Sequence, residues 1–412
     1  MTILEDVHKI LEYGDICDHC LGRLFAKKSF GLTNEQRGKA LRTAHALEYN
    51  IPYQDYKKGT CWVCGDIFDD IPKWAEKCAE MVKDIEHETF VIGTRVPPMI
   101  AESEEMIWSD LSLESPEPLK SEMNREVGKA VSAINGKSGD PKNPQITIIL
   151  NIDKDECELQ IAPIYFYGRY FKNVRGIPQT HWDCRACKGK GCEKCGYTGK
   201  QYPTSVEELI AEAPVKIFNA EKGVLHGAGR EDIDALCIGT GRPFIMEIQN
   251  PKIRKYNLKE LEKSINESAN PRVGVKLEKW SDKKTVEKLK SHKGHKIYRI
   301  LVSIDDSISV ETVQKAVSSL NGAWIAQRTP NRVSHRRADL VRKRQVIGIR
   351  ILDVIDGRYR IEVIGDGGLY IKELISGDEG RTVPSLAEIL GKPAKVVELD
   401  VVNVEGLPEN GD

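Results

Sequence analysis

Apolar positions along the chain recur at two spacings. Ile3, Leu4, Val7, Ile10 and Leu11 fall on one face at helical spacing, and the same rhythm predicts helices over 34–49, 72–85 and 119–134. TFVIGTRV (89–96) and QITIILNID (145–153) predict strands, and CELQIAPIYFYGRYFK (157–172) a strand pair. Beyond residue 200 the pattern alternates. TSVEELIAEAPVKIF (204–218) opens with a Thr/Ser cap and a Glu three residues on, which predicts a helix start. FIMEIQNP (244–251) and HKIYRILVSI (295–304) predict strands, and 257–268 and 310–321 helices. Residues 344–368 predict a hairpin turning at Asp356-Gly357, GLYIKELI (368–375) a strand passing into helix, and 384–406 a helix and a last strand. Hairpins and helices mix without strict βαβ alternation, which makes the fold class α+β.

A chain of 412 residues is long for one core. Four segments are expected: 1–71, 72–180, a cysteine-rich 181–200, and 201–412. Charged residues near 30% and aromatics at 7% describe an ordinary globular protein. No apolar run approaches the length of a membrane span, and the start lacks a signal peptide's features, so no membrane association and a cytoplasmic location are expected.

The net charge of −1 excludes a uniformly basic surface but hides two opposed runs. Residues 102–126 carry eight acids against Lys120 and Arg125, and 328–350 carry eight Lys and Arg against Asp339. Each run could be a solvated face; the basic one, holding His335 and two Arg pairs, could equally line a polyanion groove. Tyr165, Phe166, Tyr167, Tyr170 and Phe171 interleave with Arg169, Lys172 and Arg175, a mixture suited to stacking on nucleic acid or, more commonly in a strand, to a core.

Eight of the eleven cysteines form C-x-x-C pairs. Cys17/Cys20 and Cys61/Cys64 can together close one tetrahedral zinc site. Cys184/Cys187 and Cys192/Cys195 stand four residues apart among glycines 189, 191, 196 and 199; a segment so poor in apolar side chains needs a metal to organise it.

No phosphate loop or dinucleotide fingerprint is present. GKS at 136–138 has Val131 where a glycine is required, and Gly227-Ala-Gly229 and Gly239-Thr-Gly241 are followed by Asp232 and Phe244 at the third-glycine positions. That leaves GREDIDALCIGTGRPF (229–244), in which acids lie between glycines and arginines. It is either a charged surface turn or a loop holding Asp232 in a cationic setting, where a neighbouring cation keeps a carboxylate charged and directed. Asp234 reads as structural, an Asx turn or a partner for Arg242.

R-x-D on a loop is the short signature of pseudouridine synthases. The longer string GREDID…GTGRPF…EIQNP, with HKIYRILV, RTPNRVSHRR, GLYIKELISGDEGRT and the cysteine pairs ahead of a THUMP-like segment, resembles the Pus-ten type of tRNA pseudouridine synthase over essentially the whole chain, in its archaeal branch. The resemblance implies a catalytic domain with a mixed or antiparallel sheet, preceded by a THUMP-like α/β accessory domain and a zinc-bearing N-terminal segment. It implies Asp232 as the nucleophile, Tyr298 packing on the target base, and Tyr370 and Lys372 at the aromatic and basic positions of the related TruB type, with Lys for Arg and Leu369 for Thr. Lys372 and Arg230 would keep the carboxylate ionised. Cys17, Cys20, Cys61 and Cys64 would be structural zinc ligands, and Cys184, Cys187, Cys192 and Cys195 a possible second set. No organic cofactor is needed. The partner would be tRNA, modified by a monomer at uridines 54 and 55 of the T-arm. The rival reading is a non-catalytic zinc-bearing RNA-binding protein, in which Asp232 would be dispensable.

Overall fold

The computed structural model describes residues 2–113, 116–292 and 294–407, and of His335 and Arg336 the backbone alone. Glu114 of the acidic run, Ser115 beside it, and the His335 and Arg336 side chains of the basic run lie outside the described residues. The chain divides into two compact units, Met1–Ala162 and Pro163–Asp412.

The first unit opens with a helix at Ile3–Glu12, capped reciprocally by Thr2 and Glu5. A short helix over Asp18–Leu24, which the apolar pattern did not suggest, begins inside the first cysteine pair. It crosses the helix Asn34–Glu48 at backbone contact. A Cβ on Gly22 would lie 1.8 Å from the Asn34 carbonyl oxygen, and one on Gly38 1.9 Å from that of Asp18, so only glycine fits at either crossing point. Strands β1 (Thr89–Arg95), β2 (Ser138–Gly139), β3 (Ile146–Asn151) and β4 (Glu156–Ile161) form a sheet ordered β2-β1-β3-β4, in which β3 pairs parallel to β1 and antiparallel to β4. One core holds residues from Val7 to Leu150, so the segment 1–71 shares its interior with this sheet instead of standing apart.

The acidic run differs from a solvated face. It overlaps a helix, Pro98–Asp110, that the sequence pattern missed because the segment has no continuous apolar stripe. Glu104 is buried against the fully buried Arg23 and accepts from the Leu119 amide at 2.7 Å; Glu122 is buried and accepts from His19 at 2.8 Å.

The second unit is built on β5 (Ile164–Lys172), β6 (Lys222–Gly227), β7 (Leu236–Gln249), β8 (Val273–Ser281), β9 (Lys296–Ile304), β10 (Trp324–Arg328), β11 (Val341–Ile355), β12 (Arg358–Gly365), β13 (Thr382–Val383) and β14 (Ala394–Val404). They join in one mixed sheet, β13-β10-β11-β12-β9-β14-β7-β5-β8, with β6 beside β7; every pairing is antiparallel except β14 with β7. The helix at Val206–Ile217 starts where its cap predicts, Ser205 Oγ accepting from the Glu208 amide at 3.2 Å. The β11–β12 hairpin turns through Asp356 and Gly357, both at positive φ.

Two expectations change here. β4 and β5 are not a strand pair: Pro163 separates them, β4 pairs with β3, and β5 lies between β7 and β8. The expected boundary at 180 therefore falls inside the second unit, which begins at Pro163. The aromatic run on β5 is core, with Phe166, Tyr167 and Tyr170 buried. Among the described residues no helix is long and apolar enough to cross a membrane.

Alanine at Gly22 or Gly38 must push two helices apart. Either variant should destabilise the first unit by about 1–3 kcal/mol, read from urea unfolding of the whole chain, while alanine at the exposed Gly59, whose Cβ would meet nothing within 4 Å, should act only through its strained φ of +89°.

Candidate active site

The loop between β6 and β7 is set from beneath by buried charge. Glu231 and Arg242 are both fully buried and paired at 3.0 Å. The Tyr170 hydroxyl donates to Glu231 Oε2 at 2.7 Å, and Gln179 Nε2 donates to that hydroxyl at 2.8 Å and to the Gly229 carbonyl at 3.0 Å. Arg242 Nη1 donates to the Ala228 carbonyl at 2.9 Å. Lys172, wholly buried, donates its ammonium to the carbonyls of Ile177, Asp232 and Ile233 at 2.8, 3.3 and 2.9 Å. Glu231 is thus held inward, while the Asp232 side chain is part-exposed.

Asp232 faces a cleft of about 360 Å³ that is also lined by Arg230, Tyr298, Tyr370 and Lys372. The structure thus brings all five of these sequence-chosen residues to one place. Arg332 Nη1 donates to Asp232 Oδ1 at 2.9 Å, and the Lys372 ammonium lies 3.4 Å from Oδ2. Lys372 is nearer to Asp234, donating to Oδ2 at 2.8 Å. Burial raises the Asp234 carboxyl, but the hydrogen bond and charge of Lys372 outweigh it and hold the group below the ordinary aspartate value. Asp234 is therefore the partner of Lys372, and Arg242 that of Glu231. Arg332 is fixed in turn by Glu373, at 2.7 Å from Nε. Burial works against its charge, yet Glu373 and then Asp232 push the guanidinium above its usual value. Arg230 lies 4.7 Å from the centre of the Trp182 ring.

Tyr298 stands on β9 with its ring almost wholly buried, which pushes its phenol up to about 12. Tyr370 precedes the helix Ile371–Ser376, and the buried Gln327 side chain clamps its backbone, accepting from the amide at 2.8 Å and donating to the carbonyl at 2.9 Å. Arg337 Nη1 donates to the Tyr370 hydroxyl at 3.0 Å. Sequence reasoning missed Glu231, Arg332 and Gln327. Arg332 carried a signal, since it lies in the basic run, but nothing local joins it to an aspartate 100 positions away.

The two cysteine quartets are preformed, one in each unit. In each, the four sulfurs lie within 4.8 Å of one another. Neighbouring sulfurs are 3.5 and 3.7 Å apart in the first quartet and 3.8, 3.9 and 4.0 Å in the second. Four thiolates around zinc at about 2.3 Å span about 3.8 Å, so both donor sets fit that ion. In the second quartet the Gly191 and Gly199 amides each donate to a sulfur at 3.2 Å.

A family model described as Pus10, C-terminal, matches residues 165–405, and one described as Pus10 THUMP domain, archaeal, matches 74–151. Proteins named tRNA pseudouridine synthase Pus10 are similar along their whole length. That of Halorubrum lacusprofundi is 42% identical, covering 99% of this chain and 98% of its own, and that of Pyrococcus furiosus is 41% identical, covering 98% of each. That of Methanothermobacter marburgensis is 42% identical over 98% of this chain and 99% of its own. The chain belongs to the Pus10 family. Among solved structures, a Cbf5-Nop10-Gar1 complex aligns at 19% identity and a TM-score of 0.31, covering 48% of this chain and 44% of that one, a likeness too low to carry an argument.

Neighbouring acids should behave oppositely on removal. Glu231→Ala leaves Arg242 buried and unpaired and should cost about 3–5 kcal/mol in denaturant unfolding. Asp232→Ala, at a part-exposed pair, should cost about 1 kcal/mol or less in the same measurement.

Proposed function

We propose that the protein is a tRNA pseudouridine synthase that isomerises uridine in the T-arm, at positions 54 and 55, with Asp232 as the reacting carboxylate. The observation that carries this reading is the Asp232 carboxylate held at a cleft between Arg332 and Lys372, in a chain of the Pus10 family. Isomerisation breaks the N1–C1′ bond, rotates the uracil and rejoins it through C5, so nothing is oxidised and no group is imported. Asp232 either adds to C1′ as N1 leaves, to be displaced later by C5, or takes the C2′ proton so that N1 leaves C1′ and a glycal forms, the proton returning to C2′ as C5 joins C1′. In both routes C5 finally loses its hydrogen, and the hydroxyl of Tyr370, held by Arg337, is placed for contact with the base or for that proton.

The target uridine has to leave its stack, at a cost of about a few kcal/mol. Packing against Tyr298 offsets part of that cost. The first unit grips tRNA by shape and phosphate, positioning without reacting. Zinc in the two quartets, held by Cys17, Cys20, Cys61 and Cys64 and by Cys184, Cys187, Cys192 and Cys195, fixes local structure and takes no part in the reaction. The protein is read as a monomer, and the reaction belongs in the cytoplasm, where its tRNA substrate is found.

Unmodified tRNA transcript tritiated at uridine C5 should release label with the wild type and none with Asp232→Ala, while the variant still binds tRNA. Transcripts with cytidine at 54 or at 55 should each release about half. Silence from wild type and variant alike, with tight binding, would make this an RNA-binding protein without chemistry. Metal analysis should find about two zinc ions per chain, and a chelator should unfold the first unit, whose core contains all four cysteines of its quartet, at far lower denaturant than it requires with zinc.

A further inference from the structure

Much of the charge around the cleft is matched. Asp232 is shared by Arg332 and Lys372, Glu231 faces Arg242, and Glu405 accepts from the His295 amide at 2.8 Å. Lys296 differs. It is the first residue of β9, lines the cleft, and finds no hydrogen-bond or carboxylate partner among the described residues. Its ammonium packs against the loop that carries Asp232: a Cβ on Gly229 would lie 2.7 Å from Nζ. The charged groups facing it are Arg242 and Glu231, with the Cys237 thiol beside them. Lys296 thus lies near the Glu231 carboxylate, which Arg242 already holds. Burial, with the charge of Arg242, pushes Lys296 down to about 8. An ammonium half-buried beside a guanidinium, without a hydrogen-bond partner of its own, costs stability, so its presence at a cleft wall calls for an anion.

The same wall carries two more side-chain nitrogens without an acid partner among the described residues. Lys290 lines it without an acid partner, and His292 Nε2 is buried with no hydrogen bond. Lys296 and Tyr298 are two residues apart on one strand, so their side chains share a face with a rise of about 7 Å between them. That separation is of the order of the distance from a base to the phosphate of its own nucleotide. A uracil carbonyl at Lys296 would leave the excess charge unneutralised, whereas a phosphodiester cancels it.

We propose that Lys296, backed by Lys290 and His292, is the seat of a backbone phosphate flanking the isomerised uridine. The inference rests on the tRNA pseudouridine synthase reading. It makes Lys296 a substrate-binding residue that uses the RNA backbone to place the flipped nucleotide between Tyr298 and Asp232.

The test measures binding of unmodified tRNA transcript to wild type, Lys296→Met and Lys296→Arg across a salt series. Lys296→Met should weaken binding about tenfold at low salt and flatten the plot of log affinity against log salt by about 0.7–0.9, the loss of one phosphate contact. Lys296→Arg should keep the wild-type slope. A neutral methylphosphonate beside the target uridine should weaken wild type and leave Lys296→Met unaffected. Without RNA, Lys296→Met should be at least as stable as wild type. An unchanged salt slope, a methylphosphonate effect that persists in Lys296→Met, or a stability loss in that variant would each overturn the inference. Tritium release by wild type, measured alongside, separates this from failure of the synthase reading: no release sinks the reaction, whereas release with an unchanged slope sinks only the phosphate seat.

Discussion

The cleft depends on one buried ion pair. Glu231 and Arg242 sit in an interior where a lone charge would be intolerable, so each fixes the other, and together they fix the backbone between Ala228 and Asp232. Tyr170, Gln179 and Lys172 complete this support with hydrogen bonds from β5 and the segment after it. A buried pair of this kind contributes little net stability compared with an apolar substitute. What it supplies is position: the loop backbone is held, and the Asp232 carboxylate it carries stands at the cleft.

The first unit uses the same device for a different end. Arg23, wholly buried, reaches Glu104 and donates to the Cys20 sulfur at 3.6 Å, so a salt bridge inside the core touches the cysteine cluster directly. The cysteine quartet, two crossing helices and the four-stranded sheet therefore contribute to one interior. Polar groups in such a core are satisfied together or not at all, which ties the fold of the sheet to the state of its thiols.

The parts of the structure legible in the sequence were those decided locally. A Ser cap with its Glu, the Asp356-Gly357 turn and both cysteine quartets need only a few neighbouring residues to be recognised. The five cleft residues were reached through family resemblance, since an Asp in a turn or a Tyr in a strand has no distinguishing pattern of its own. What escaped was partner choice over long separations. Arg332 reads as one cation in a basic run until the fold sets it beside Asp232, and Glu104 as one acid among eight until Arg23 is buried against it. β5 was placed in the wrong unit for the same reason: alternation identifies a strand but not the strand beside it.

The cysteine-rich segment after β5 leaves and rejoins the second unit at nearly one point. Asp183 bridges Lys200, the Cys184 amide reaches the Gly199 carbonyl at 2.6 Å, and the Gln201 amide reaches that of Trp182 at 2.9 Å. Everything between is an excursion with a closed base, joined to no strand of the large sheet. Its length is consequently free of the register constraint that binds every β-strand around it. The chain can enlarge, shorten or discard this appendage over evolutionary time without moving a single rung of the ladder beneath.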